Sequence, residues 1–194
     1  NGWKLLYQNK KDFINHTLDN TTYIWISHEH PDHFSVKFFI DYKDKIQSNN
    51  IKILFQKTKD RRVVKFLKSK NYDVIELPDN KTFVLNNNFN IHVKRFGFYD
   101  SALIVNVDKM KIVNLNDCVF DSDRELSQFA MNEGIADILL TQFSYAAWKG
   151  GVNNKNWRIK AANEKLDRIL DQAKALNAKV VIPFASFNYF SNNE

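Results

Sequence analysis

One cysteine in 194 residues, Cys118, excludes an internal disulfide framework and any cysteine-built zinc or iron–sulfur site within this chain. A reducing cytoplasm is the compartment expected from that scarcity. No apolar run of about 18 residues occurs, and no basic region followed by an apolar stretch opens the chain, so neither a membrane span nor a secretory signal is expected. Proline and glycine number only three and five; low complexity is limited to asparagine patches, which read as turns. Histidine is also scarce, with five in all. Three of them nevertheless fall inside six consecutive residues, in "ISHEHPDHFS", Ile26 to Ser35.

What is present suffices for a core. A hydrophobic content of 44% with 14% aromatics predicts one globular domain over residues 1–194. The chain opens on Asn1, in the strand-like "GWKLLY", and is expected to be a segment of a longer protein. Net charge is +6, but Lys and Arg are scattered. The densest run, "KTKDRRVVKFLKSK", spaces Val63, Val64 and Leu67 as the buried stripe of a helix, so its charges read as that helix's wet face rather than a nucleic-acid surface. Attraction for anionic small molecules is the milder consequence.

Short β-rich runs alternate with helical ones. "KKDFINHTL" reads as an early helix with His16 on its surface, and "TTYIWIS" as a buried strand. "SVKFFIDYKDKI" has helical spacing behind an N-cap at Ser35. The strand "IKILFQ", the basic helix and the strand "YDVIEL" continue the α/β alternation. "KTFVLNNNFNIHVKRFG", "DSALIVNVD" and "KMKIVNLND" then read as a meander of successive strands. A helix "SDRELSQFAMNEG", capped at Ser122 or Asp123 and stopped at Gly134, precedes the strand "ADILLTQF". The longest helix, "NWRIKAANEKLDRILDQAKALNA", places Ile159, Ala162, Leu166, Ile169, Leu170 and Ala173 on one face, before a strand "KVVIPFAS".

The histidine cluster sits where the first buried strand ends. In extended backbone, residues i and i+2 point to the same side, so His28 and His30 can reach one ion together. Pro31 biases His30 toward extended geometry and stiffens the turn that brings Asp32 and His33 round. Neutral imidazoles and carboxylates suit zinc, manganese or iron. A chance surface cluster is the bland alternative, but His-x-His-x-Asp-His directly after an apolar strand is a long, constrained pattern. His92, on an alternating strand, reads as a surface or half-buried residue, and Cys118 as a buried thiol pointing away from Asp117. Tyr145 and Trp148, in the loop Ser144 to Asn154, are candidates to line a pocket, with packing the plainer role.

"HEHPDH" resembles the signature motif of the metallo-β-lactamase fold hydrolases. That resemblance implies an α/β fold, an αββα sandwich, here lacking some N-terminal strands. It implies that His28 and His30 serve a first metal and Asp32 and His33 a second, with Asp117, ending the strand in "KIVNLNDCVF", bridging both. "YIWISHEHPDHFS", "DSALIVNVDKMKIVNLNDC" and "VVIPFASFNYF" further resemble the metallo-β-lactamase-like domain of the CMP-N-acetylneuraminate hydroxylase family, from about Gly2 to the end of the chain. Full proteins of that family also carry a Rieske iron–sulfur domain, which nothing in these residues could form. Two positions depart from the hydrolase pattern. Where a third histidine is usual, "FGFYDS" offers Asp100, whose plain alternative is a turn cap. Ala185 stands where a later histidine is expected. The resemblance thus implies a first metal on His28, His30, Asp100 and Asp117, and a second on Asp32, His33 and Asp117, completed by water, Glu29 or substrate.

The function expected is metal-dependent hydrolysis of an anionic, phosphate- or carboxylate-bearing small molecule, on one or two ions, zinc first, with iron or manganese as alternatives. Asp32 or Asp117 would take the proton from the attacking water. Two other classes remain open: the non-Rieske part of a nucleotide-sugar oxygenase served by an electron-transfer domain or partner, and a non-catalytic metal-binding module. No membrane partner is expected.

Overall fold

The computed structural model describes residues 3–5, 9–143, 145, 147–184 and 188–190, with side chains described only from 9 to 184. Two compact units emerge, one of residues 8–83 and 92–101, the other of residues 1–7, 84–91 and 102–194. No helix among the described residues is long and apolar enough to cross a membrane.

The first unit is built by right-sized alternation. β1 (Trp3–Leu5) belongs to the other unit; α1 (Lys11–Asp19) opens this one and is followed by β2 (Tyr23–Ile26), α2 (Val36–Asp41), α3 (Lys43–Ser48), β3 (Lys52–Gln56), α4 (Arg62–Ser69) and β4 (Val74–Leu77). Strands β2, β3 and β4 form a three-stranded parallel sheet in that order, with Ile26 opposite Phe55 and Phe55 opposite Glu76. Leu18, Ile26, Phe34, Phe39, Ile46, Ile53, Phe55, Val63, Val64, Leu67 and Tyr72 share its core. The stripe of Val63, Val64 and Leu67 is buried, as the sequence spacing requires. Ser35 caps α2 through Phe38 N–H at 3.3 Å. The single helix expected from "SVKFFIDYKDKI" is instead two, broken at Tyr42 (φ −108°, ψ 15°). Phe39 and Ile46 both face the core, and Tyr42 lies against Phe38, ring centroids 5.1 Å apart.

The second sheet has six strands in the order β10-β9-β8-β7-β6-β5: β5 (Phe83–Asn86), β6 (Phe89–Phe96), β7 (Asp100–Val107), β8 (Met110–Asn116), β9 (Ile138–Gln142) and β10 (Val180–Phe184). The meander β5 to β8 follows the sequence reading; β9 then joins β8, and β10 joins β9, in parallel. α5 (Asp123–Glu133) and α6 (Lys155–Ala175) supply those crossovers. β1 pairs antiparallel with β11 (Asn188–Phe190). Ser122, not Asp123, caps α5, and Gly134 (φ 75°) ends it.

The longest helix departs from expectation. Ile159, Leu166 and Leu170 are exposed, while Ala161 and Gln172 are the buried residues of α6. The helix is seated by polar contacts as much as apolar ones: Thr141 Oγ1 donates to Gln172 Oε1 at 2.6 Å in a buried pair, and Lys165 Nζ donates to Gln142 Oε1.

Candidate metal centre

The carboxyl ends of parallel strands are where an α/β sheet leaves loops free to carry chemistry, and β2 ends in the histidine cluster. His28, the second residue beyond the strand, is 1% exposed. The chain then turns: His33 N–H and Phe34 N–H both donate to the His30 carbonyl, at 2.9 and 2.7 Å. Phe34 anchors the end of the turn in the core, 5.4 Å from Phe39 and 5.7 Å from Phe66 between ring centroids.

His28, His30 and Asp100 come together, with one ligand atom from each within 4.8 Å of the others. Nε2 of His28 lies 2.8 Å from Nδ1 of His30. On its other edge, Nδ1 of His28 faces Ser27 Oγ at 3.0 Å and Asp100 Oδ1 at 3.4 Å. A neutral imidazole carries its proton on one ring nitrogen and offers the lone pair of the other to a cation. Two nitrogens bound tetrahedrally at about 2.0–2.1 Å sit about 3.4 Å apart, so the 2.8 Å pair need open by only roughly 0.6 Å to hold an ion. The donor set, two imidazoles and a carboxylate, fits a divalent transition metal.

His33 lies beside the same group, its ring centroid 4.2 Å from that of His28, with Nδ1 3.4 Å from Ser27 Oγ. Asp32 Oδ2 stands 3.4 Å from His33 Nε2, both side chains largely shielded. Among the described residues, Asp32 joins no group of three converging ligand atoms. Asp117 is half-buried in the other unit, just past β8. Asn116 adopts the left-handed conformation (φ 54°), which asparagine tolerates, and its Nδ2 donates to Asp117 Oδ1 at 2.7 Å.

The remaining candidates fall as follows. Glu29 is engaged with Arg62, Oε1 to Nη2 at 2.6 Å, rather than turned to a ligand's role. His92 is half-buried in β6 and joins no converging group among the described residues. His16 is exposed and Cys118 buried, as expected. Trp148 packs edge-on against Trp157, centroids 5.5 Å apart. Ala185 lies outside the described residues, as does part of the Ser144 to Asn154 loop.

A supporting layer escaped the sequence reading. Gln56, 1% exposed at the end of β3, donates from Nε2 to the Ser27 carbonyl at 2.8 Å and also to the Tyr99 carbonyl. Ser101 Oγ donates to the same Ser27 carbonyl at 2.7 Å. These bonds tie the residue before His28 to both neighbours of Asp100, so the two candidate ligands are held by their backbones. A polar residue closing the apolar run "ILF" is the one signal that could have pointed to Gln56.

Arg62 makes a second brace, with Nε 2.5 Å from Asp60 Oδ2 and Nη2 on Glu29. The hydrogen bond from Arg62 holds the Asp60 carboxyl below the usual carboxylate range, and the same bond, with the charge of Glu29, raises the guanidinium.

No protein-family model matches the sequence, and no curated protein matches it either. Solved structures do. CmlA, a diiron β-hydroxylase from Streptomyces venezuelae, superposes with a TM-score of 0.61 at 16% identity over 89% of this chain. This chain spans only 37% of CmlA's length. Human tRNase Z, short form, gives a TM-score of 0.54 at 16% identity, covering 86% of this chain and 73% of that one. YhfI from Bacillus subtilis, a metallo-β-lactamase fold protein, gives 0.52 at 13% identity, covering 86% and 76%. The chain has the α/β metallo-β-lactamase fold.

Proposed function

We propose that this chain is a metal-dependent hydrolase acting on an anionic, phosphate- or carboxylate-bearing small molecule. The convergence of His28, His30 and Asp100 at the exit of β2 carries the reading. Asp117 is proposed as a further ligand, and Asp32 with His33 as the ligands of a second ion. One or two zinc ions are the first expectation for this donor set, with iron or manganese next.

A divalent cation bound there would lower the pKa of water to about 7 and polarise the bond under attack. The chain's residues do the rest. Ser27 Oγ steadies the His28 ring at its Nδ1 edge, Gln56 and Ser101 hold the backbone that carries it, and Asp32 or Asp117 accepts the proton from the attacking water. A net charge of +6 favours approach of anions. The reading takes no membrane or nucleic-acid partner, and places the protein in a reducing cytoplasm.

A second reading is favoured by a specific observation. Two histidines and one carboxylate form the ligand set of non-haem iron oxygenases, and CmlA is a diiron β-hydroxylase. Under that reading, which also accommodates the hydroxylase-family resemblance of "YIWISHEHPDHFS", electrons come from another domain or partner. Metal analysis by inductively coupled plasma of protein purified without chelator tests both. About one or two equivalents of zinc supports hydrolysis; iron with oxygen-dependent turnover supports the oxygenase. Less than about a tenth of an equivalent of any transition metal after reconstitution defeats both.

A further inference from the structure

Beside the histidine cluster, still within the first unit, lies a cavity of about 330 Å³ lined by Glu29, Phe55, Gln56, Thr58, Lys59, Asp60, Arg95, Gly97, Phe98 and Tyr99. Its walls are aromatic on two sides. Phe55 is buried from β3, while Phe98 and Tyr99, ring centroids 4.6 Å apart, stand 79% and 42% exposed on the turn between β6 and β7. Gly97 at φ 49° makes that turn possible. Large aromatic faces left to water at a cavity mouth mark a place where a ligand covers them.

The charges are asymmetric. Both carboxylates of the lining are already met: Glu29 and Asp60 share Arg62. The two cations are not. Lys59 and Arg95 have no side-chain hydrogen-bond or ion-pair partner among the described residues, although Arg95 is half-buried. Arg61, by contrast, is spent on Glu76 at 2.5 Å. A guanidinium with five donors and no protein acceptor at a cavity wall is suited to meet a carboxylate or phosphate. The cavity also abuts the proposed metal group: Glu29 sits between His28 and His30, Tyr99 precedes Asp100, and the His30 and Tyr99 ring centroids lie 5.6 Å apart. Gln56 joins the two, since its amide holds the carbonyl of Tyr99 on the cavity side and that of Ser27 on the histidine side.

We propose that this cavity binds a small aryl anion, one or two rings bearing a carboxylate or phosphate, with the rings between Phe55, Phe98 and Tyr99 and the charge on Arg95 and Lys59. In calling that anion the substrate, the inference rests on the hydrolase or oxygenase reading; as a binding site it does not. The volume suits one or two rings, being at the small end of ligand pockets.

The probe is 2-naphthoate, titrated by its fluorescence and by calorimetry into the whole chain stripped of metal. Binding roughly tenfold tighter than for neutral 2-naphthamide, and tighter than for acetate, is expected. Arg95→Gln with Lys59→Gln should remove that preference while leaving the circular dichroism spectrum unchanged, and Phe98→Ala should weaken naphthoate and naphthamide alike. His30→Ala should lose metal yet keep naphthoate. Equal affinity for naphthamide, an unaffected double variant, or naphthoate binding only after metal is restored would overturn the proposal. Metal uptake is read separately by elemental analysis, so failure of the centre and failure of the cavity give different results.

Discussion

His28 and His30 divide the work by exposure. His28 is sealed against Ser27 and Asp100, while His30 is exposed and meets it at Nε2. Replacing the exposed partner should therefore separate ligation from folding. In His30→Ala, metal affinity should fall by roughly tenfold or more, with the urea-unfolding free energy of the metal-free protein within about 0.5 kcal/mol of the parent. Gln56 should behave oppositely. Gln56→Leu removes a donor from each of the Tyr99 and Ser27 carbonyls. A loss of about 2–4 kcal/mol in unfolding free energy is expected, with roughly 10- to 100-fold weaker metal binding. The four candidates of "HEHPDH" could be read from the chain because strand exit and i, i+2 spacing are local properties. Gln56, Ser101 and Arg62 could not, since what makes them matter is a carbonyl or carboxylate 29, 74 and 33 residues away.

At the scale of elements, the caps and breakers written in the chain act where they stand. Ser122 Oγ accepts from Glu125 N–H at 3.2 Å, and Glu125 Oε2 reaches back to Asp121 N–H at 2.7 Å. Ser122→Ala should cost about 1 kcal/mol, measurable by thermal unfolding. Asp137, entering β9, accepts from Lys111 N–H at 2.7 Å and pairs with Lys179 Nζ at 2.6 Å. The Lys179 bond, then that from Lys111, holds its carboxyl below the usual range. Its folded pKa being the lower, the stabilisation is complete above the ordinary value of 3.8 and is lost as pH falls through the depressed one. Asp137→Asn should therefore flatten the decline in urea-unfolding stability below about pH 4. Elsewhere the chain's periodicity misleads. The split at Tyr42 and the exposed Ile159, Leu166 and Leu170 both follow from where neighbouring elements lie, which helical spacing does not encode.

For the molecule as a whole, a cation that binds only the folded chain must stabilise it. At about 100 times its dissociation constant the gain is about 2.7 kcal/mol, a rise of roughly 5–10 °C in melting temperature for a chain of this length. Scanning calorimetry before and after chelation checks it, with recovery expected on adding zinc. From the chain alone came the α/β alternation, the meander, and the types of candidate ligand with their place at a strand's end, because hydrophobic period, turn chemistry and a contiguous motif are all short-range. The family resemblance pointed to Asp100, but its 3.4 Å approach to His28 from seventy-two residues away, and the cavity that Arg95 and Lys59 share with Phe98, belong to the tertiary structure. Such meetings depend on how β2, β3 and the β6–β7 turn are brought together by burial of their apolar faces, a non-directional force that leaves no local signature in the residues it joins.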